Sequence, residues 1–121
     1  MALTQFTIFE NAHHIDLLAN ATVETITETA STLYGFWGDN SDNKEDSFVK
    51  FYDAAASPTV GTTAPVVVAR LEAGKAQEIP FGNKGEGRAF TNKMYVACVT
   101  TGGKGGTTSP DEAVKLKIYT N

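Results

Sequence analysis

The chain reads as an all-β protein, a two-layer antiparallel β-sandwich of seven to eight short strands. Three observations predict this. Thr, Val and aromatic residues fill its periodic segments, and these types fit a pleated, half-buried surface. The segments are short and mostly alternate apolar with polar side chains. Clusters of Gly, Pro, Asn and Asp separate them, as turns do. No segment holds a strong helical period. Strands of this kind bury their apolar faces by packing two sheets together. At 121 residues the chain has the length of one domain, so residues 1–121 are expected to fold as a single sandwich. Residues 1–32 form either its first strands or an N-terminal arm.

Residues 5–9, QFTIF, alternate and predict a first strand with Phe6 and Ile8 on one face and Phe9 on the other. His13 and His14 then fall in a polar connection. Adjacent histidines diverge in extended backbone, so they make a poor metal chelate. For residues 15–32, Ile15, Leu18, Val23, Ile26 and Ala30 could share a loose helical face. The Thr-rich run TVETITET lowers helix propensity, and a strand is predicted over 22–29. In LYGFW, strict alternation places Leu33 and Trp37 on one face and Tyr34 and Phe36 on the other.

The acidic run Asp39 to Asp46 reads as a solvated turn. Counted from Asp39, the sixth and twelfth positions of a calcium loop would be Lys44 and Lys50, where Gly and a carboxylate are required, so the EF-hand pattern fails. The stretch from Phe48 to Leu71 organises the rest: two strands joined by a connector rich in Ala, Ser, Pro, Thr and Gly. Pro58, Gly61 and Pro65 each set the backbone at a fixed place, so the connector is expected to be an ordered surface excursion.

A short strand over 77–81 ends near Pro80, where a missing N–H breaks no ladder. Residues 93–101 carry Tyr95, Ala97 and Val99 on one face and Met94, Val96 and Cys98 on the other, which predicts a central strand covered on both sides. The last run, 113–120, sets Val114, Leu116 and Ile118 against Lys115, Lys117 and Tyr119. That is a half-buried strand whose lysines would discourage edge-to-edge association.

The formal net charge of −4 and a pI of about 5.0 disfavour nucleic-acid and anionic-membrane partners, since such binding rests on neutralising phosphates with Lys and Arg. Cys98 is the only cysteine, so no intrachain disulfide can form, and its apolar flanks predict a buried, inert thiol. No basic region leads into an apolar run near the start, and no apolar run reaches membrane-spanning length, which points to synthesis in a cytosol. Asn20-Ala21-Thr22 matches a glycosylation sequon that this setting would leave unused.

No nucleophile, base and orienting group fall into a recognisable constellation, so catalysis is not expected. The Gly-rich stretches GNKGEG (82–87) and GGKGG (102–106) lack phosphate-loop and dinucleotide spacing and read as loop tips. No metal or cofactor site is predicted. Binding remains, through aromatic side chains: Tyr34, Trp37 and Tyr52 are candidate partner contacts, with stacking on sugar rings as the alternative to a protein partner. Phe6 and Phe9 are candidates as anchors of an arm, or else pack within their own strand.

From Leu33 onward the chain resembles small β-sandwich proteins of tailed-bacteriophage virions. The residues that carry the resemblance are Phe48-Val49-Lys50-Phe51-Tyr52-Asp53, Ser57-Pro58-Thr59-Val60-Gly61-Thr62, Pro65-Val66-Val67 and the Tyr95-Val96-Ala97 strand with the Thr- and Gly-rich turn after it. The resemblance implies a structural component without catalytic residues: a capsid decoration or cement protein on the virion surface, or a head, fibre or tail module that binds a glycan or receptor. The expected partner is the major capsid protein, and the expected assembly is a homo-oligomer, a trimer, because sites between capsid subunits often have local three-fold symmetry.

Overall fold

A computed structural model describes residues 13–81 and 86–121. The expected strand over 5–9, with Phe6 and Phe9, lies outside the described residues, as does most of the GNKGEG stretch. Nine strands are present among the described residues: β1 (His13–Ala19), β2 (Glu24–Thr27), β3 (Ser31–Asp39), β4 (Ser47–Ala54), β5 (Val67–Leu71), β6 (Ala76–Pro80), β7 (Arg88–Phe90), β8 (Lys93–Val99) and β9 (Val114–Thr120). They form two antiparallel sheets packed face to face, as the alternation predicts. Sheet A has five strands in the order β1-β9-β3-β6, with β7 also paired to β3; sheet B has four in the order β2-β8-β4-β5.

The core lies between the sheets. Sheet A contributes Ala19, Leu33, Phe36, Phe90, Val114, Leu116 and Ile118, and sheet B contributes Val49, Phe51, Leu71, Met94, Val96 and Cys98. Phe36 bridges the layers, its ring tilted 5.5 Å from that of Phe51. Each Val, Leu, Ile, Phe or Met side chain of this core contributes roughly 1.5–3 kcal/mol on leaving water. Only β4 and β5 are consecutive strands paired in one sheet among the described residues. The stretch predicted to organise the chain is therefore the one hairpin of consecutive strands among the described residues, and the remaining pairings there join strands that are not consecutive.

Several expectations are corrected. His13 and His14 do not lie in a connection: they open β1, whose seven residues pair with β9 without interruption. β7 carries no signal in the sequence, because three residues are too few to show alternation.

The faces of LYGFW are also revised. Pairing of β3 with β9 shifts between Leu33 and Gly35, and Gly35 has φ of 153°, a region open essentially to glycine. This bulge inserts one residue, so Leu33 and Phe36 both enter the core and Trp37 turns outward.

β9 is no edge: β1 and β3 flank it, so its lysines do not guard an edge. Its alternation is otherwise as predicted, with Val114, Leu116 and Ile118 buried. Likewise β8 is central, and Pro80 ends the edge strand β6.

The acidic turn is solvated only in part. Asn40, Asn43 and Ser47 are buried and hold one end of the sandwich together. The Asn40 amide donates to the carbonyls of Glu45 at 3.0 Å, Leu71 at 3.2 Å and Glu72 at 3.2 Å, and its oxygen accepts from Asn43 Nδ2 at 2.9 Å and Ser47 Oγ at 2.8 Å. Asn43 in turn grips the chain before β9, donating to the Glu112 carbonyl and accepting from the Glu112 N–H. The Ala73 N–H and then Arg70 Nε donate to the two oxygens of Asp46, which holds that carboxyl below the usual range.

Cys98 is buried as expected, and burial pushes its thiol up to about 12. The native protein should therefore resist a thiol-specific reagent at pH 8 and react stoichiometrically once denatured. Rapid labelling of the folded chain would contradict that placement.

Candidate functional site

The two sheets treat their outer faces differently. The outer face of sheet B is covered by the chain's own loops. Tyr52, Tyr95 and Ala97 form a second buried cluster there, closed over by Val23, Ala54 and Val60.

The connector of residues 55–66 is ordered, as Pro58, Gly61 and Pro65 predicted. The Thr62 and Thr63 N–H groups donate to the Thr59 carbonyl, and the Val66 N–H donates to that of Phe51. Gly61, at φ of 92°, lies so close to Thr107 that no Cβ would fit there. The loop after β8 lies over the same face, where a Cβ on Gly102 would stand 3.1 Å from the Phe48 ring.

The outer face of sheet A is open only in part: among the described residues Leu18 is exposed on it and Trp37 half-buried, while Tyr119 is buried. Its side chains form rungs across the strands. Leu18 of β1 faces Lys115 of β9, which faces Asp39 of β3. On the next rung Asp16 faces Lys117, which faces Trp37, which faces Glu78 of β6. A third rung pairs His14 with Tyr119, their ring centroids 6.1 Å apart.

Between the first two rungs runs a shallow groove of about 330 Å³ with Trp37, Leu18, Lys115, Lys117 and Asp16 in its lining. Leu18 is 61% exposed, the larger figure of the two exposed large hydrophobic residues. Alternating charges therefore frame an aromatic and an aliphatic side chain. Such an arrangement suits a protein surface, where an apolar centre supplies affinity and a charged rim supplies register.

The electrostatics of this face are uneven. Burial raises the Glu78 carboxyl above its ordinary value, and one of its oxygens is buried without a hydrogen-bond partner among the described residues. Tyr119 is raised by burial and then by the charges of Glu78 and Asp16. Opposite the groove, the Asp39 carboxyl is lowered by hydrogen bonds from Ser41 and, more weakly, by Lys115.

Of the side chains predicted to meet a partner, Trp37 is half-buried on the outer face of sheet A and Tyr34 is half-buried at the bulge. Tyr52 is a correction. It is 0% exposed, because the connector folds back over the sheet, and it cannot touch a partner while that cover is in place. Trp37 and Tyr52 lie on opposite outer faces, so the aromatics do not converge on one stacking platform.

Sequence reasoning missed Leu18, which lies in a segment that admits two periodicities. It also missed Lys115 and Lys117 as groove residues, although their spacing of two placed them on one face.

Among the described residues no group of three or more His, Cys, Asp or Glu side chains could hold a metal ion. Comparisons with protein-family models, curated proteins and solved structures found no match to this chain.

Proposed function

We propose that this protein is a structural component of a tailed-bacteriophage virion, a capsid decoration or cement protein that seats on the major capsid protein at the surface of the shell and stabilises it. The observation that carries the reading is the groove on the outer face of sheet A, where among the described residues Trp37 and Leu18 sit framed by charges while the opposite sheet face is closed by the chain's own loops. The resemblance of residues 33 onward to such proteins supplies the kind of partner. A rigid domain of this type acts by number. Many copies, each gripping adjacent capsid subunits, resist shell expansion together through contacts that are individually modest. A trimer suits sites of local three-fold symmetry.

The test is addition of purified protein to mature shells that lack it, followed by sedimentation and heating. Saturable binding at a fixed ratio to the capsid protein, with a higher shell disruption temperature, is the expected result. No association and unchanged heat resistance would end the proposal. Trp37→Ala should weaken binding about tenfold or more, as expected for an aromatic anchor at an interface centre. Its unfolding temperature should stay close to that of the parent, because Trp37 belongs to neither buried cluster. Scattering measurements of molar mass would check the trimer.

A further inference from the structure

The covered face of sheet B contains a second feature, separate from the groove on sheet A. Lys50 and Tyr52 are alternate residues of β4, so their side chains leave the strand on the same side and stand next to each other. Both are 0% exposed. Neither the Lys50 Nζ nor the Tyr52 hydroxyl has a hydrogen-bond partner among the described residues.

Buried polar groups in folded proteins are nearly always paired, and each exception calls for an explanation such as an absent ion or water. A neighbouring carboxylate would hold the lysine's pKa up. Instead Lys50 is pushed below its ordinary value by burial alone. Among the described residues the ammonium has neither a hydrogen-bond partner nor an ion pair. Burial raises Tyr52, so its hydroxyl keeps its proton and remains a donor.

Two loops cover this pair. Val60 of the 55–66 connector packs on the Tyr52 cluster, and Gly102 lies over Phe48, so covering residues stand on both sides of Lys50 along the strand. The covering loops bend at Gly61 and Gly103, with φ of 92° and 77°. Gly103 and Gly105 have open space around them. A small group would reach the pair by way of these two loops, which stand between it and solvent on this face among the described residues.

We propose that Lys50 and Tyr52 form an occluded oxyanion-binding pair, a site beneath the 55–66 and 100–109 loops for a carboxylate. One oxygen takes a charge-assisted hydrogen bond from the ammonium and the other a hydrogen bond from the phenol. A carboxylate fits this pair because it is small and planar and offers two acceptors to two adjacent donors. It can come from a free solute or from an Asp or Glu side chain of a protein neighbour.

The experiment uses the full chain at neutral pH with acetate in one arm and N-acetyl-glutamic acid amide in the other, each against chloride at matched ionic strength. Unfolding temperature and the Lys50 side-chain NMR signal are followed. Acetate should raise the unfolding temperature saturably by about 5 °C or more at high occupancy and move the Lys50 signal. Lys50→Met should abolish the response, and Tyr52→Phe should weaken the apparent affinity about fivefold.

Response to acetate alone identifies a solute site. Response to both shows that a protein carboxylate can reach the pair. Response to neither, or an equal response in Lys50→Met, overturns the proposal. If Lys50→Met does not fold, the NMR titration and Tyr52→Phe decide. An unmoved Lys50 signal, or an unchanged affinity in Tyr52→Phe, then overturns it.

Discussion

Asn40→Ala should lower the unfolding free energy by about 3–5 kcal/mol, since it removes five buried or part-buried hydrogen bonds at about 0.5–1.5 kcal/mol each. The Asn40 side chain is 0% exposed and makes five hydrogen-bond contacts to three segments, namely its own turn, the end of β5 and the start of β4. Truncation takes one partner each from the Asn43 amide, the Ser47 hydroxyl and the Leu71 carbonyl inside the protein. It also loosens Asn43, which holds the approach to β9.

The consequence is mechanical as well as energetic, because that network ties sheet B to sheet A at one end of the sandwich. Asn40→Asp should be no milder. It keeps the acceptor, loses the donors and places a charge where nothing neutralises it. Asp42→Ala, on the exposed side of the same turn, should change stability by no more than about 0.5 kcal/mol. Denaturant titration of the three variants checks this, and equal losses in Asn40→Ala and Asp42→Ala would show that the network holds nothing together.

Lys50→Met should have the opposite sign and stabilise the protein by about 1–3 kcal/mol in a chloride buffer at pH 7. Methionine replaces the aliphatic stem with little change of volume and removes the unpaired ammonium. The pH dependence gives an independent check. Burial lowers the Lys50 pKa in the folded state below its ordinary 10.5. Between the folded value and 10.5 the unfolded chain therefore binds more protons, and stability rises with pH across that window. Below the folded value the full penalty is present and constant.

The difference between parent and Lys50→Met should accordingly shrink as pH climbs toward 10.5. Taking the difference cancels the other lysines and the tyrosines that titrate there. Acetate should narrow the same gap at pH 7 by giving the ammonium its partner. A destabilised Lys50→Met at every pH would mean that the ammonium is already satisfied in the folded chain.

Much of the architecture is legible in the residues. β4, β5, β8 and β9 follow from alternation and from β-branched and aromatic content, and β8 was readable as central because both of its faces are apolar. Pro80 marked a strand end because proline cannot donate. β1 was obscured because Ile15, Leu17 and Leu18 are too closely spaced for a clean period of two. The bulge at Gly35 reversed the faces of Trp37 and Phe36, since one inserted residue flips everything after it. The 39–46 turn looked solvated because Asn and Asp are common in exposed turns, while burial of Asn40 depends on carbonyls 31 and 32 residues away.

The same division governs the two candidate sites. Trp37 could be named from sequence as an aromatic with a prospective contact role, but its companions Leu18, Lys115 and Lys117 are brought to it by pairing of β1 with β9 and β9 with β3. Tyr52 carries the same kind of side chain and meets the opposite fate, because the connector closes over it.

Sequence alone determined that this is a β-sandwich with little internal helix, where its principal strands run, and that its one cysteine is buried, because side-chain alternation and backbone restrictions act over a few residues. Tertiary structure alone decided which outer face stays open, which aromatic remains available and which lysine loses its solvent. Those outcomes depend on loops and strands that are distant along the chain and meet only once both sheets have formed.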